Sequence, residues 1–156
     1  MQRGFTLIEL LVYIVILTIV FSALASLTVV GIRMERNRSA LDDIRHNGVS
    51  VLNRLEEDVR LGNSISSPST GSSGQTLSII TDSGSITYTV SGGFMYRNSG
   101  SGAVPISSSD VEVIEHSFSN RGAGAVPDIV TVSITLSGTK TDLYEEVFTT
   151  SINVYE

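Results

Sequence analysis

Hydrophobic and polar positions fall along this chain in blocks of different period. Residues 5–32 form an apolar run of 28 in which Glu9 is the only charge. About 20 apolar residues cross a bilayer as a helix, so the run predicts a membrane-spanning helix with length to spare. From 33 to 61 the pattern changes. Proline is absent, and Leu41, Ile44, Val51, Leu52, Leu55 and Val59 recur at helical steps of three, four and seven. That spacing predicts an amphipathic helix with one apolar face, stopped by Gly62-Asn63. Residues 5–61 together predict one helix of 57 residues, roughly 85 Å at 1.5 Å per residue.

Beyond residue 62 the period falls to two. Residues 64–75 are Ser- and Gly-rich and predict a flexible loop with little to add to a core. Short β-branched or aromatic runs follow at 76–81, 85–90, 94–97, 111–118, 129–136 and 145–155. Within 129–136, Val130, Val132, Ile134 and Leu136 alternate with Thr131, Ser133 and Thr135, as in a half-buried antiparallel strand. Asp82-Ser83-Gly84 and Ser91-Gly92-Gly93 predict hairpin turns. A long helix followed by an antiparallel sheet is an α+β arrangement.

Charge sharpens this division. The formal net charge is −6, and it resides past Gly62, where Arg97, Arg121 and Lys140 face nine acids. Residues 33–61 are balanced. An acidic distal domain argues against nucleic acid as its partner, because phosphates need a basic surface. The chain has no cysteine, which excludes disulfides and thiolate metal sites.

Candidate chemistry is sparse. His46 and His116 have no ligand spacing between them and read as ordinary polar residues. No nucleophile elbow and no phosphate-binding glycine loop occurs, so neither an enzyme nor a cofactor is expected. Glu56, Glu57 and Asp58, with Arg54 and Arg60 close by, read as a solvated helix face. Calcium oxygens are conceivable at Asp82, Ser83 and Ser85, or at Asn120 and Asp128, but neither set has a loop pattern and no metal site is assigned.

The amino terminus is the specific part. A cleavable secretory signal would use Arg3 and the small-x-small site Ala23-Leu24-Ala25, yet its apolar core is normally ~7–15 residues and this one continues to Ile32. A plain membrane anchor explains the length but not Glu9, since a carboxylate inside a membrane helix costs roughly 2.5–3.5 kcal/mol on insertion scales. The segment Gly4-Phe5-Thr6-Leu7-Ile8-Glu9-Leu10-Leu11-Val12 resembles the signal of type IV pilins and pseudopilins. The resemblance implies a prepilin peptidase that cuts between Gly4 and Phe5 and methylates the new amino terminus of Phe5. It implies that Glu9 is the assembly carboxylate, which pairs with the Phe5 amino group of a neighbouring subunit. It also implies a pilin-like fold, with a leader at 1–4, a membrane and polymerisation helix at 5–32, an amphipathic helix at 33–61 and a sheet-bearing head at 62–156.

Further expectations follow from the same resemblance. The precursor would cross the bacterial inner membrane once with its head outside the cytoplasm, then enter an extracellular or periplasmic filament. Partners would be the peptidase, other pilins or pseudopilins, the inner-membrane assembly platform and the membrane. Arg33, Arg36 and Arg38, beyond the span, outnumber Arg3 before it, so positive charge alone predicts the opposite orientation. Major subunits commonly carry a proline where this chain has Ser26. Arg38, Leu41, Ile44, Leu52, Leu55, Asp58 and Arg60, with the ending Phe148-Thr149-Thr150-Ser151-Ile152-Asn153-Val154, are similar to the minor pseudopilin J and minor pilin W group. The alternatives are a major filament subunit and a single-pass anchored binding or adhesion module.

Overall fold

A computed structural model of the chain describes residues 6–122, 128–139 and 141–154, without the side chains of 141–143. Its first element, α1, runs unbroken from Leu7 to Arg60, and the chain divides into compact units Met1–Ser39 and Ala40–Glu156.

In the first unit the helix is apolar all round, and no side chain of its most hydrophobic 18-residue window is buried. Three of its hydroxyls bond back onto the helix. The hydroxyls of Thr18 and Thr28 donate to the carbonyls of Ile14 (2.7 Å) and Leu24 (3.0 Å), and Ser26 donates to Ala23 (3.3 Å). Such back-bonding is a common habit of Ser and Thr within helices. The helix is long and apolar enough to cross a membrane.

The second unit is the head. Here Ala40, Ile44, Gly48, Val51, Leu55, Asp58 and Val59 form the buried stripe of α1, at the spacing of three and four that lines one helix face. The apolar face foreseen from the pattern is present, with Leu41 and Leu52 half-buried at its margin. Two antiparallel sheets complete the core. One takes β1 (Ser64–Ser67), β3 (Leu77–Thr81), β4 (Gly84–Ser91), β5 (Phe94–Asn98) and β6 (Ala103–Pro105), in that spatial order. The other takes β2 (Ser73–Gly74), β7 (Val111–Asn120), β8 (Ile129–Gly138) and β9 (Thr141–Asn153). The head is therefore α+β.

The core cluster draws on all of these: Ile44, Val51 and Leu55 from α1, Leu77, Ile79, Tyr88 and Met95 from the first sheet, Phe118, Val132 and Ile134 from the second. Strand β8 shows the foreseen alternation, with Val130, Val132, Ile134 and Leu136 inside. Its outward residues pair across the ladder, Thr131 with Ser151 at 3.0 Å and Ser133 with Thr149 at 3.3 Å between hydroxyls.

The loop expected at 64–75 is corrected. It contributes β1 and β2, and Ile65 and Pro68 are buried. Ile65 lies opposite Ile79 and Ser73 opposite Ser119. A serine-rich segment becomes strand there because its neighbours supply the ladder and the burial, which override its own weak preference. One sheet was foreseen and two are found, because β3–β6 and β7–β9 pair separately.

Glycine is required at a hairpin and at the end of α1. Gly92 and Gly93 have φ of 57° and 78° between the paired residues Ser91 and Phe94, a two-residue hairpin loop with both central residues left-handed. Gly62, expected to stop α1, is not among the positive-φ glycines. Its need is space, since a Cβ there would overlap the Ile79 side chain.

Candidate functional site

The first candidate is the start of α1. Gly4 and Phe5, the residues of the expected cut and methylation, lie outside the described residues. Thr6 stands just before Leu7, at the cap of the helix, and Glu9 is three residues on. That is the arrangement in which a carboxylate reaches back to the cap. The Thr6 backbone N–H and hydroxyl each lie 3.5 Å from Glu9 Oε2, while the Glu9 N–H donates to the Thr6 carbonyl at 3.1 Å. A 3.5 Å hydrogen bond is at the weak limit. The carboxylate also sits in the first turn, where the exposed N–H groups of the helix favour negative charge. Glu9 is thus exposed and only lightly held by its own chain.

The structure places the other sequence candidates apart. His46 is exposed. His116 Nε2 donates to the Gln75 carbonyl at 3.0 Å and its ring stands edge-on to Phe118 at 6.0 Å. The conceivable calcium oxygens are engaged singly. Asp82 Oδ1 accepts from Asn63 Nδ2 at 2.6 Å, Asp128 Oδ1 from the Thr70 hydroxyl at 3.4 Å, and Asn120 Oδ1 from the Gly122 N–H at 3.1 Å. Among the described residues no three of His, Cys, Asp and Glu are grouped as metal ligands.

Sequence reasoning missed one site, the far end of α1. Of the three acids read as a solvated face, Glu56 and Glu57 behave so, paired with Arg60 at 2.5 Å and Arg54 at 3.0 Å. Asp58 does not, and the reading is corrected: its residue is 3% exposed. Arg97 of β5 forks onto it, Nε to Oδ2 at 2.5 Å and the terminal nitrogen to Oδ1 at 3.1 Å. The Tyr88 hydroxyl of β4 donates to the same Oδ2. Burial works against ionisation of Asp58, yet the hydrogen bonds from Arg97 and Tyr88 outweigh it and hold the carboxyl below its usual range. Burial and then the Asp58 charge push the Tyr88 phenol well up, so it stays a donor. The hydrogen bond to Asp58 keeps Arg97 charged more firmly still. A signal existed, because Asp58 continues the buried series Val51, Leu55 by a step of three.

A cleft of about 550 Å³ opens above this pair, walled by Arg54, Glu57, Asp82 and Arg97. Arg54 is matched there by Glu57 and Arg97 by Asp58, while Asp82 accepts from the neutral Asn63 amide. The cluster fastens the last turns of α1 to the first sheet.

No curated protein and no solved structure gave a significant match to the chain. Residues 1–25 match the family model described as the Prokaryotic N-terminal methylation motif. That match covers Gly4, Phe5 and Glu9 and runs into the unburied apolar helix, and it supports a type IV pilin-like subunit that a prepilin peptidase processes.

Proposed function

We propose that this chain is a minor pilin or pseudopilin, a structural subunit of a type IV pilus or type II secretion filament. The prepilin peptidase cuts between Gly4 and Phe5 and methylates Phe5. The observation that carries the reading is the methylation motif opening a helix whose apolar first unit has no protein cover. A membrane covers that surface before assembly, and the helices of other subunits cover it afterwards.

Glu9 has its role in that second setting. Cutting after Gly4 creates a positive amino group on Phe5, and side-by-side packing brings the Glu9 of one subunit towards the Phe5 of another. A carboxylate buried without a partner is costly, and pairing offsets the cost. The pair therefore favours one stagger of the helices over others. The exchange is inexpensive, because what Glu9 gives up is a pair of contacts at 3.5 Å.

The head stays outside the cytoplasm and meets partners in the machine, among them other pilins or pseudopilins and the inner-membrane assembly platform. The minor role rests on Ser26, where major subunits commonly have proline. α1 passes through Ser26 without a break.

Intact mass of the protein from its native host tests the proposal. Loss of residues 1–4 with gain of one methyl group on Phe5 is expected. An uncut chain refutes the filament reading and leaves an anchored β-rich module. Abundance in sheared filaments decides the rank, since a major subunit dominates them and a minor one is scarce.

A further inference from the structure

The arginines on α1, with the one that β5 turns onto it, fall into two groups. Arg45, Arg54, Arg60 and Arg97 each pair with a carboxylate, Glu146, Glu57, Glu56 and Asp58 respectively. Arg33, Arg36 and Arg38 are exposed, and among the described residues no acid pairs with them. They begin at the first residue after the apolar run, and with Glu35 between them the stretch 33–38 carries three cations and one anion.

Two geometric facts say what such a cluster faces. At 1.5 Å per residue, 33–38 extends about 9 Å past Ile32. The headgroup layer adds about 5–8 Å to each side of the hydrocarbon. With the charged Glu9 at the opposite boundary, residues 10–32 make about 35 Å of apolar helix, which fits about 30 Å of hydrocarbon at a tilt of about 30° and brings the arginines to the depth of the headgroups. Around the helix, at about 100° per residue, Arg36 lies some 60° to one side of Arg33 and Arg38 about 140° to the other. This is a collar, not a stripe. A protein partner approaches a helix from one side, whereas a lipid surface surrounds it.

We propose that Arg33, Arg36 and Arg38 bind the phosphodiester headgroups of anionic phospholipids on the non-cytoplasmic face of the membrane and fix the depth of the unassembled chain. Guanidinium suits this ligand, being a fork of donors matched to phosphate oxygens. The inference rests on the span crossing the membrane as the proposed function requires.

The test uses the full chain reconstituted into vesicles of phosphatidylcholine with phosphatidylglycerol, and spin-labelled forms of each lipid. Flotation after alkaline washing first reports insertion. The inserted chain is expected to prefer phosphatidylglycerol about five-fold or more, the effect of one cation near an anionic surface. High salt and the triple variant R33Q/R36Q/R38Q should abolish the preference. The triple lysine variant should keep part of it, and R121Q, which alters an exposed arginine of the head, should keep all of it. A chain that fails to insert overturns the span and the collar together. An inserted chain without headgroup preference, or a glutamine variant that retains it, overturns the collar alone. So does loss of subunit cross-links in the glutamine variant with lipid preference unchanged, which would assign the arginines to the acids of another subunit.

Discussion

Replacing Arg97 by leucine removes the guanidinium that neutralises Asp58 and leaves the carboxylate, whose side chain is 4% exposed, with the Tyr88 hydroxyl as its remaining strong donor. Removing one partner of a buried pair costs about 3–5 kcal/mol, a large fraction of the roughly 5–15 kcal/mol that holds a domain together. The opposite change, Asp58→Asn, should cost less. The Arg97 side chain is 19% exposed and turns to water, while the new amide still accepts from Tyr88, so about 1–3 kcal/mol is expected. The two variants also separate on the acid side. The folded carboxyl of Asp58 titrates below its unfolded value of about 3.9, so its contribution is fully present above that value and is lost as pH falls through the folded one. In Arg97→Leu burial acts on Asp58 without that opposing charge, so protonation relieves the variant while it harms the wild type. The gap between them should narrow as pH is lowered through 4. Equilibrium urea unfolding of the full chain in detergent micelles, followed by near-ultraviolet circular dichroism of the tyrosines, measures both effects. Equal losses in the two variants, or a gap that does not change between neutral and acid pH, would refute the reasoning.

Two further outcomes follow from other contacts. In Gly48→Ala the new methyl occupies the place of the Phe148 ring. Overpacking of about 1–3 kcal/mol outweighs a helix gain of about 1 kcal/mol, and a double-mutant cycle in urea with Phe148→Leu should recover most of the loss. Glu9→Ala should leave the processed mass shifted only by the substitution and the urea midpoint of the head unmoved, because Glu9 is exposed in the first unit. The same variant should vanish from sheared filaments by immunoblot, and unchanged incorporation would remove Glu9 from assembly.

What could be read before folding depended on whether a residue stood out from its surroundings or was hidden among its like. The apolar run at 5–32 needs no partner to declare itself, and β8 declares itself by alternation. Asp58 did not, because three consecutive acids look alike in a sequence. Only the turn of the helix sends Glu56 and Glu57 outward and leaves Asp58 in line with Val51 and Leu55. Gly48 was silent for a related reason: a missing side chain on the buried stripe gains meaning only from the Phe148 ring that fills its place. Strands β1, β2 and β6 were unreadable because their pairing is conferred by β3, β7 and β5. Glu9 is the converse of Asp58, a lone charge in an apolar run and therefore conspicuous, yet its own chain holds it by contacts of only 3.5 Å. The two carboxylates lie on one helix. The one that the fold satisfies was invisible in sequence, and the one visible in sequence is the one that the fold leaves nearly unsatisfied. That contrast has a physical basis: a polar group paired within its own fold blends into the pattern of that fold, whereas the proposed role of Glu9 with a second subunit gives a reason for a charge that violates the pattern around it.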